Sequence, residues 1–147
     1  MANINQVKQL REETEAPVNE CFKALNEANG DMEKAKEILR KWGQGLAAKK
    51  VEREVKEGVV DVYLHPNKKV GVILELRCES DFVAKNEDFQ KLAHELCLQA
   101  AGTDEDLPMM EQLWIKDESR TVKDLLEEYI AKLGENITIK RFSKYQI

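Results

Sequence analysis

The chain has 147 residues, 42% of them hydrophobic and 35% charged, which is room for one domain, or for a small module beside a modest core, and a mixture that folds rather than stays disordered. Its net charge of -5 comes without a long basic run, which argues against a nucleic-acid binder and leaves room for a protein partner. Residues 1–8, MANINQVK, hold no apolar stretch of the kind a secretory signal needs, and no run of about 18 apolar residues is present to span a membrane.

Residues 1–43 predict three short helices. Ile4, Val7 and Leu10 recur at helical spacing. Pro17 suits a first helical turn, where its missing N–H would be unpaired anyway. Val18, Cys21, Phe22, Leu25 and Ala28 then form one apolar face. Asn29-Gly30 breaks that helix and Asp31 can cap the next, whose face is Met32, Ala35, Ile38, Leu39 and Trp42, with Gly43 ending it. Three helices with one narrow face each bury those faces only against one another, so a compact three-helix module follows. Residues 44–57 are dominated by charge, with Leu46, Val51 and Val55 thinly spaced, and read as a solvated helical linker.

Residues 58–147 read differently. Alternating, Val-rich residues 59–64 predict a strand. Residues 65–69 make a hairpin loop, and 70–77 a second, more buried strand. A helix over 88–101 carries Phe89, Leu92, Ala93, Leu96, Cys97 and Ala100 on one face. The segment 109–115 reads equally as a short helix or as extended chain. Thr121 can cap a last helix that buries Val122, Leu125, Leu126, Ile130 and Leu133 and stops at Gly134. A third strand is expected over 137–142. Three strands hold together only if something covers one face, and the two long helices can do that, so the fold class is α+β with a small antiparallel sheet.

No enzyme constellation emerges. The seven glycines form no phosphate loop. His65 falls in a turn and His94 off the main apolar stripe of its helix. Asp104, Glu105 and Asp106 make an acidic loop without calcium-loop spacing. Cys21, Cys78 and Cys97 lack CxxC spacing and read as reduced, buried thiols. A cysteine-dependent enzyme would need an activated thiolate, with Cys78 the candidate. No metal or cofactor is called for.

The segment 77–85, RCESDFVAK, ends a strand and runs into a helix. Residue types leave Phe82 two places: tucked into the core, with Asp81 or Asn86 capping the following helix, or presented as an anchor for a partner's pocket.

Residues 78–89, CESDFVAKNEDF, resemble the signature of the elongation factor Ts family, close to C-[EQ]-T-D-F-V-A-[KR]. Residues 11–14 (REET) with 21–31 (CFKALNEANGD) are similar to that family's N-terminal ubiquitin-associated-like module. Residues 63–66 (YLHP) with 70–76 (VGVILEL) resemble its first hairpin, and 131–137 (AKLGENI) with Arg141-Phe142 its closing helix and strand. The four motifs stand in the family's order.

The resemblance implies a cytoplasmic guanine-nucleotide exchange factor without catalytic residues of its own. It implies a ubiquitin-associated-like domain over 1–43, a linker over 44–57 and a dimerisation-type core over 58–147. The partner it implies is the nucleotide domain of elongation factor Tu in its GDP form, with no nucleic acid or membrane involved. By the same resemblance Ser80, Asp81, Phe82 and Val83 act near the partner's magnesium and phosphate site, Phe82 as the wedge. Lys8, Arg11, Val18 and Asn19 are the matching contacts of the N-terminal module. Ser80 keeps the hydroxyl of the family's usual Thr. Between Ala101 and Glu111 the family carries several dozen more residues than this chain, which implies a half-core that a second copy could complete as a homodimer. The competing reading is a non-catalytic interaction module that uses the three-helix domain to hold ubiquitin-like or other helical partners, with the second domain as a scaffold.

Overall fold

The structure, a computed structural model, describes residues 2–104 and 106–147. Glu105 of the acidic loop therefore lies outside the described residues. The chain divides into two compact units, Met1–Lys49 and Lys50–Ile147.

In the first unit α1 spans Ile4–Thr14, α2 Val18–Glu27 and α3 Met32–Lys50, the last crossing the unit boundary by one residue. Side chains cap the starts of α1 and α3: Asn3 accepts from the Gln6 amide at 2.8 Å, and Asp31 from the Glu33 and Lys34 amides at 3.0 and 3.2 Å. Pro17 is the N-cap of α2. The core is Leu10, Cys21, Ala24, Leu25, Ala28, Ala35 and Leu39, with Val7, Met32 and Ile38 packed on it.

Three sequence expectations are corrected here. Ile4 is exposed, so α1 contributes mainly Leu10. On α2 the buried stripe is Cys21, Ala24, Leu25 and Ala28, whereas Val18 and Phe22 lie at its edge and stay exposed. The helix α3 passes Gly43 and runs on to Lys50. Glycine ends a helix where the backbone turns left-handed. Gly30 and Gly134 do so in this chain and Gly43 does not; it is buried in the helix, and Ala47 is buried one turn further on.

The second unit begins with irregular chain at 51–56 and then forms β1 (Glu57–Leu64), β2 (Val70–Cys78), the single turn α4 (Asp81–Ala84) and α5 (Glu87–Gly102). A short 3-10 turn (Met109–Glu111), β3 (Leu113–Trp114), β4 (Asp117–Thr121), α6 (Val122–Leu133) and β5 (Thr138–Gln146) follow. β1, β2 and β5 form an antiparallel sheet in that order, with β2 central. The fold is α+β.

Along β2 the pleat sends Val72, Leu74, Leu76 and Cys78 inward. They meet α5, whose Phe89, Leu92, Ala93, Leu96, Cys97 and Ala100 are buried. α6 adds Val122, Leu125, Leu126 and Ile130 to this core. Its first turn is held by a reciprocal capping box: Thr121 Oγ1 accepts from the Asp124 amide at 3.1 Å and Asp124 Oδ2 from the Thr121 amide at 3.0 Å.

The ambiguous segment 109–115 resolves into a 3-10 turn followed by β3, and β4 pairs with it in a small second sheet that hydropathy does not announce. A buried glutamine makes this possible. Gln99 of α5 donates to Gln112 Oε1 (3.1 Å) and the Leu113 carbonyl (3.0 Å) and accepts from the Ile115 amide (2.9 Å). β5 runs to Gln146 rather than stopping at Phe142, because it pairs with the whole length of β2 back to Val70.

Candidate functional site

The segment after β2 is built as a braced turn. Cys78 Sγ donates to the Ser80 carbonyl at 3.2 Å. Ser80 is the N-cap of α4, its Oγ accepting from the Val83 amide at 3.3 Å. Asn86 caps α5 in turn, Oδ1 accepting from the Asp88 amide at 2.8 Å. The sequence expectation offered Asp81 or Asn86 as caps; Asn86 serves α5, and Ser80 does the corresponding work for α4.

One turn of helix has an inside and an outside. Val83 and Ala84 fill the inside and are buried. Asp81 and Phe82 take the outside, where Lys85 Nζ stands 3.6 Å from Asp81 Oδ2 and both side chains face solvent. Phe82 is 80% exposed. Of the two placements that residue type allows, the presented one is found. Burying a phenylalanine is worth ~1.5–3 kcal/mol, and this chain leaves nearly all of that unclaimed at Phe82.

The turn is held from below by a part of the chain 55 residues away. Glu135 Oε1 accepts from the Glu79 and Ser80 amides at 3.1 and 3.0 Å, and its Oε2 accepts from Ser80 Oγ at 2.6 Å. Glu79 Oε2 accepts from the Asn136 amide at 2.6 Å. Asn136 is itself buried and donates through Nδ2 to the Val51 and Arg53 carbonyls at 3.3 and 2.8 Å. Glu135 and Asn136 stand in the AKLGENI motif, whose residue types alone assign them no role. The motif was the available signal; the contact across the fold was not visible in spacing.

Cys78 is unsuited to nucleophilic work. Burial, helped by the negative charge of Glu135, pushes its thiol up to about 11, the opposite of the depressed value an activated thiolate requires. Burial likewise raises Cys97, to about 12. Among the described residues no cluster of His, Cys, Asp and Glu is grouped to hold a metal ion, and no helix is long and apolar enough to cross a membrane.

In the first unit Lys8, Arg11, Val18 and Asn19 are all exposed. Arg11 in the last turn of α1 and Val18-Asn19 in the first turn of α2 flank one short connection, residues 15–17, with Lys8 a turn earlier on α1. Phe22, one turn after Val18 on α2, extends this surface with an exposed aromatic ring.

The chain is thus a two-unit α+β protein that presents an exposed aromatic on a braced turn at the end of a helix-backed sheet. The chain belongs to the elongation factor Ts family, and thus to the translation elongation factors. The family model described as Elongation factor TS matches residues 79–147, which begin at this turn. Elongation factor Ts of Thermoanaerobacter sp. is 39% identical over 193 aligned positions, covering 99% of this chain and 95% of its own. The Thermotoga maritima protein is 39% identical over 190 positions (99% and 96%), and that of Moorella thermoacetica 40% over 188 (96% and 93%). An alignment of 193 positions to a chain of 147 residues leaves at least 46 positions of the first relative without a counterpart here.

Proposed function

We propose that this chain binds elongation factor Tu in its GDP form and promotes GDP release, with Phe82 as the wedge and Asp81 beside it on the side of the partner's magnesium and phosphates, so that GTP can rebind. The observation that carries the proposal is Phe82, 80% exposed on a turn whose base is buried and multiply hydrogen-bonded. A loose turn would lose backbone freedom on docking; a braced one has less to lose. Ser80 and Val83 belong to the same edge, Ser80 as its cap and Val83 as its buried footing.

Exchange of this kind needs no acid or base. A factor that binds the nucleotide-free partner more tightly weakens nucleotide binding by the same ratio that nucleotide weakens factor binding. One well-seated aromatic supplies ~2 kcal/mol or more of such coupling. In this reading the three helices, expected over 1–43 and in the structure continuing into the expected linker 44–57 as far as Lys50, are a ubiquitin-associated-like module that meets the same nucleotide domain through Lys8, Arg11, Val18 and Asn19, and the protein works in the cytoplasm.

The second copy belongs to the same proposal. The sheet face turned away from α5 carries Val60, Val62, Leu64 and Ile73, all exposed, and a chain shorter than its relatives by dozens of residues has less of its own to cover that face with. We place a homodimer there.

Release of a fluorescent GDP from elongation factor Tu, with and without this chain, tests the proposal. The chain should accelerate release, and Phe82→Ala should lower the stimulated rate by about thirtyfold, the equivalent of ~2 kcal/mol, without unfolding the protein. Unchanged release with Phe82→Ala would remove the wedge.

A further inference from the structure

The backbone ladder between β2 and β5 ends at the pair Arg77–Thr138. Beyond it the two segments stay joined through side chains. On one side come Glu79 and Ser80, on the other Glu135 and Asn136, and the bonds cross: Glu135 accepts from Glu79 and Ser80, and Glu79 accepts from Asn136. Gly134 sets this up. It ends α6 in the left-handed region at φ 77, where other residues pay a steric penalty, and delivers Glu135 to the end of the ladder.

What these bonds hold is α4, four residues long. A helix of one turn has no stability of its own, because nucleation consumes more order than one turn of bonds repays. Its direction must therefore come from outside. Val83 and Ala84 give it a footing, and Ser80 Oγ gives it a cap. That hydroxyl has one proton, and it goes to Glu135 Oε2 at 2.6 Å, which leaves the lone pairs of Ser80 turned to the Val83 amide. Glu135 thus fixes the rotor that caps the turn, and the two backbone amides before it.

We infer that Glu135 is a positioning residue for the exchange edge: it acts on the partner only through Phe82, by fixing the turn from which Phe82 projects. This rests on the wedge reading of Phe82 and adds to it the residue that makes the wedge rigid. Two features separate a positioning role from a general contribution to folding. The bonds of Glu135 converge on three donors in residues 79 and 80. Those residues lead directly into Asp81 and Phe82.

The experiment compares Glu135→Ala, Glu135→Gln, Phe82→Ala and the double variant Glu135→Ala/Phe82→Ala in fluorescent-GDP release from elongation factor Tu, over a range of factor concentrations. Glu135→Ala should lower the maximal stimulated rate about tenfold, as misplacement of a working group does, with the half-saturating concentration little changed. Glu135→Gln keeps an acceptor oxygen for the two amides and should recover most of the rate. The double variant should be no slower than Phe82→Ala alone. In the free protein, hydrogen exchange at the Glu79, Ser80 and Val83 amides should quicken in Glu135→Ala, while amides of α5 keep their protection.

Wild-type release with Glu135→Ala, where Phe82→Ala is slow, overturns the inference and leaves the wedge standing. So does a full additional loss in the double variant, or a raised half-saturating concentration with the maximum unchanged, since that is what loss of folded protein gives. Phe82→Ala without effect overturns the wedge and the inference with it.

Discussion

Phe82 and Cys78 are four residues apart and show opposite uses of an apolar side chain. Phe82 contributes nothing to the core, so Phe82→Ala should leave the melting temperature within about 2 °C of the parent, as surface changes of half a kcal/mol or less do. A larger drop would mean that the ring is packed rather than presented. Cys78 is fully buried, as is Cys97, and both thiols are raised above their usual value of 9, to about 11 and about 12. An unfolded chain gives up these protons near pH 9; the folded chain keeps them to higher pH. The stability they contribute is therefore complete below about pH 9 and is lost as pH rises through the folded values. Urea midpoints should fall between about pH 8 and pH 10.5, and the fall should shrink in the Cys78→Ala/Cys97→Ala variant, where those protons are gone. At about pH 8 iodoacetamide should label the native thiols far more slowly than the urea-unfolded ones, and rapid native labelling of Cys78 would contradict its burial.

At the scale of elements, Gly58 shows a constraint that residue type conceals. It stands first in the segment 58–147 that sequence marks as the second part of the chain, yet it lies inside β1, and a β-carbon there would stand 2.1 Å from the Leu76 carbonyl oxygen. Since that neighbour is backbone of the central strand, it cannot step aside cheaply. Gly58→Ala should cost about 1–3 kcal/mol, measured by urea unfolding, and an unchanged midpoint would show that the two strands can part at this point.

The elements that were legible share a local cause: α5 and α6 have long apolar stripes and capping residues, and β2 has a Val- and Leu-rich run that faces α5. The elements that were not legible depend on distant partners. β4 is a polar DESRT strand that pairs with β3, itself fastened by Gln99 from α5. The continuation of α3 past Gly43 depends on burial of that glycine and of Ala47, which spacing alone does not reveal. The candidate site divides the same way. Asp81 and Phe82 could be named from the resemblance, but residue type favoured a buried Phe82, and the ring is found presented. Glu135, 55 residues on, could not be tied to Ser80 by any local rule.

For the whole molecule the open face of the sheet is the feature that the chain leaves unresolved by itself. Register puts Val62 opposite Ile73 and Val60 opposite Glu75, so these side chains lie together on one face. Val60, Val62 and Leu64 are each at least 60% exposed, in contrast to their neighbours on β2 that turn toward α5. At the middle of the face Glu75 accepts from Arg77 at 2.5 Å and from Arg141 at 2.9 Å, and these guanidinium partners, Arg77 first, hold its carboxyl below the usual range. An apolar field with a polar centre suits a self-complementary contact: the valines and leucine supply area, and the charged centre fixes the register of a two-fold arrangement. Sheet packing of this kind separates two faces by about 10 Å and keeps the strands roughly aligned. If the face takes a second copy, sedimentation over a concentration series should show a monomer–dimer equilibrium, and Val62→Lys with Ile73→Lys should shift it to monomer while leaving circular dichroism unchanged, because neither side chain is in the core. Exchange on elongation factor Tu should survive in that monomer, since the Phe82 edge and its Glu135 brace are contained in one chain. A monomer at the highest concentration of the parent chain would remove the dimer and leave the exchange edge as argued.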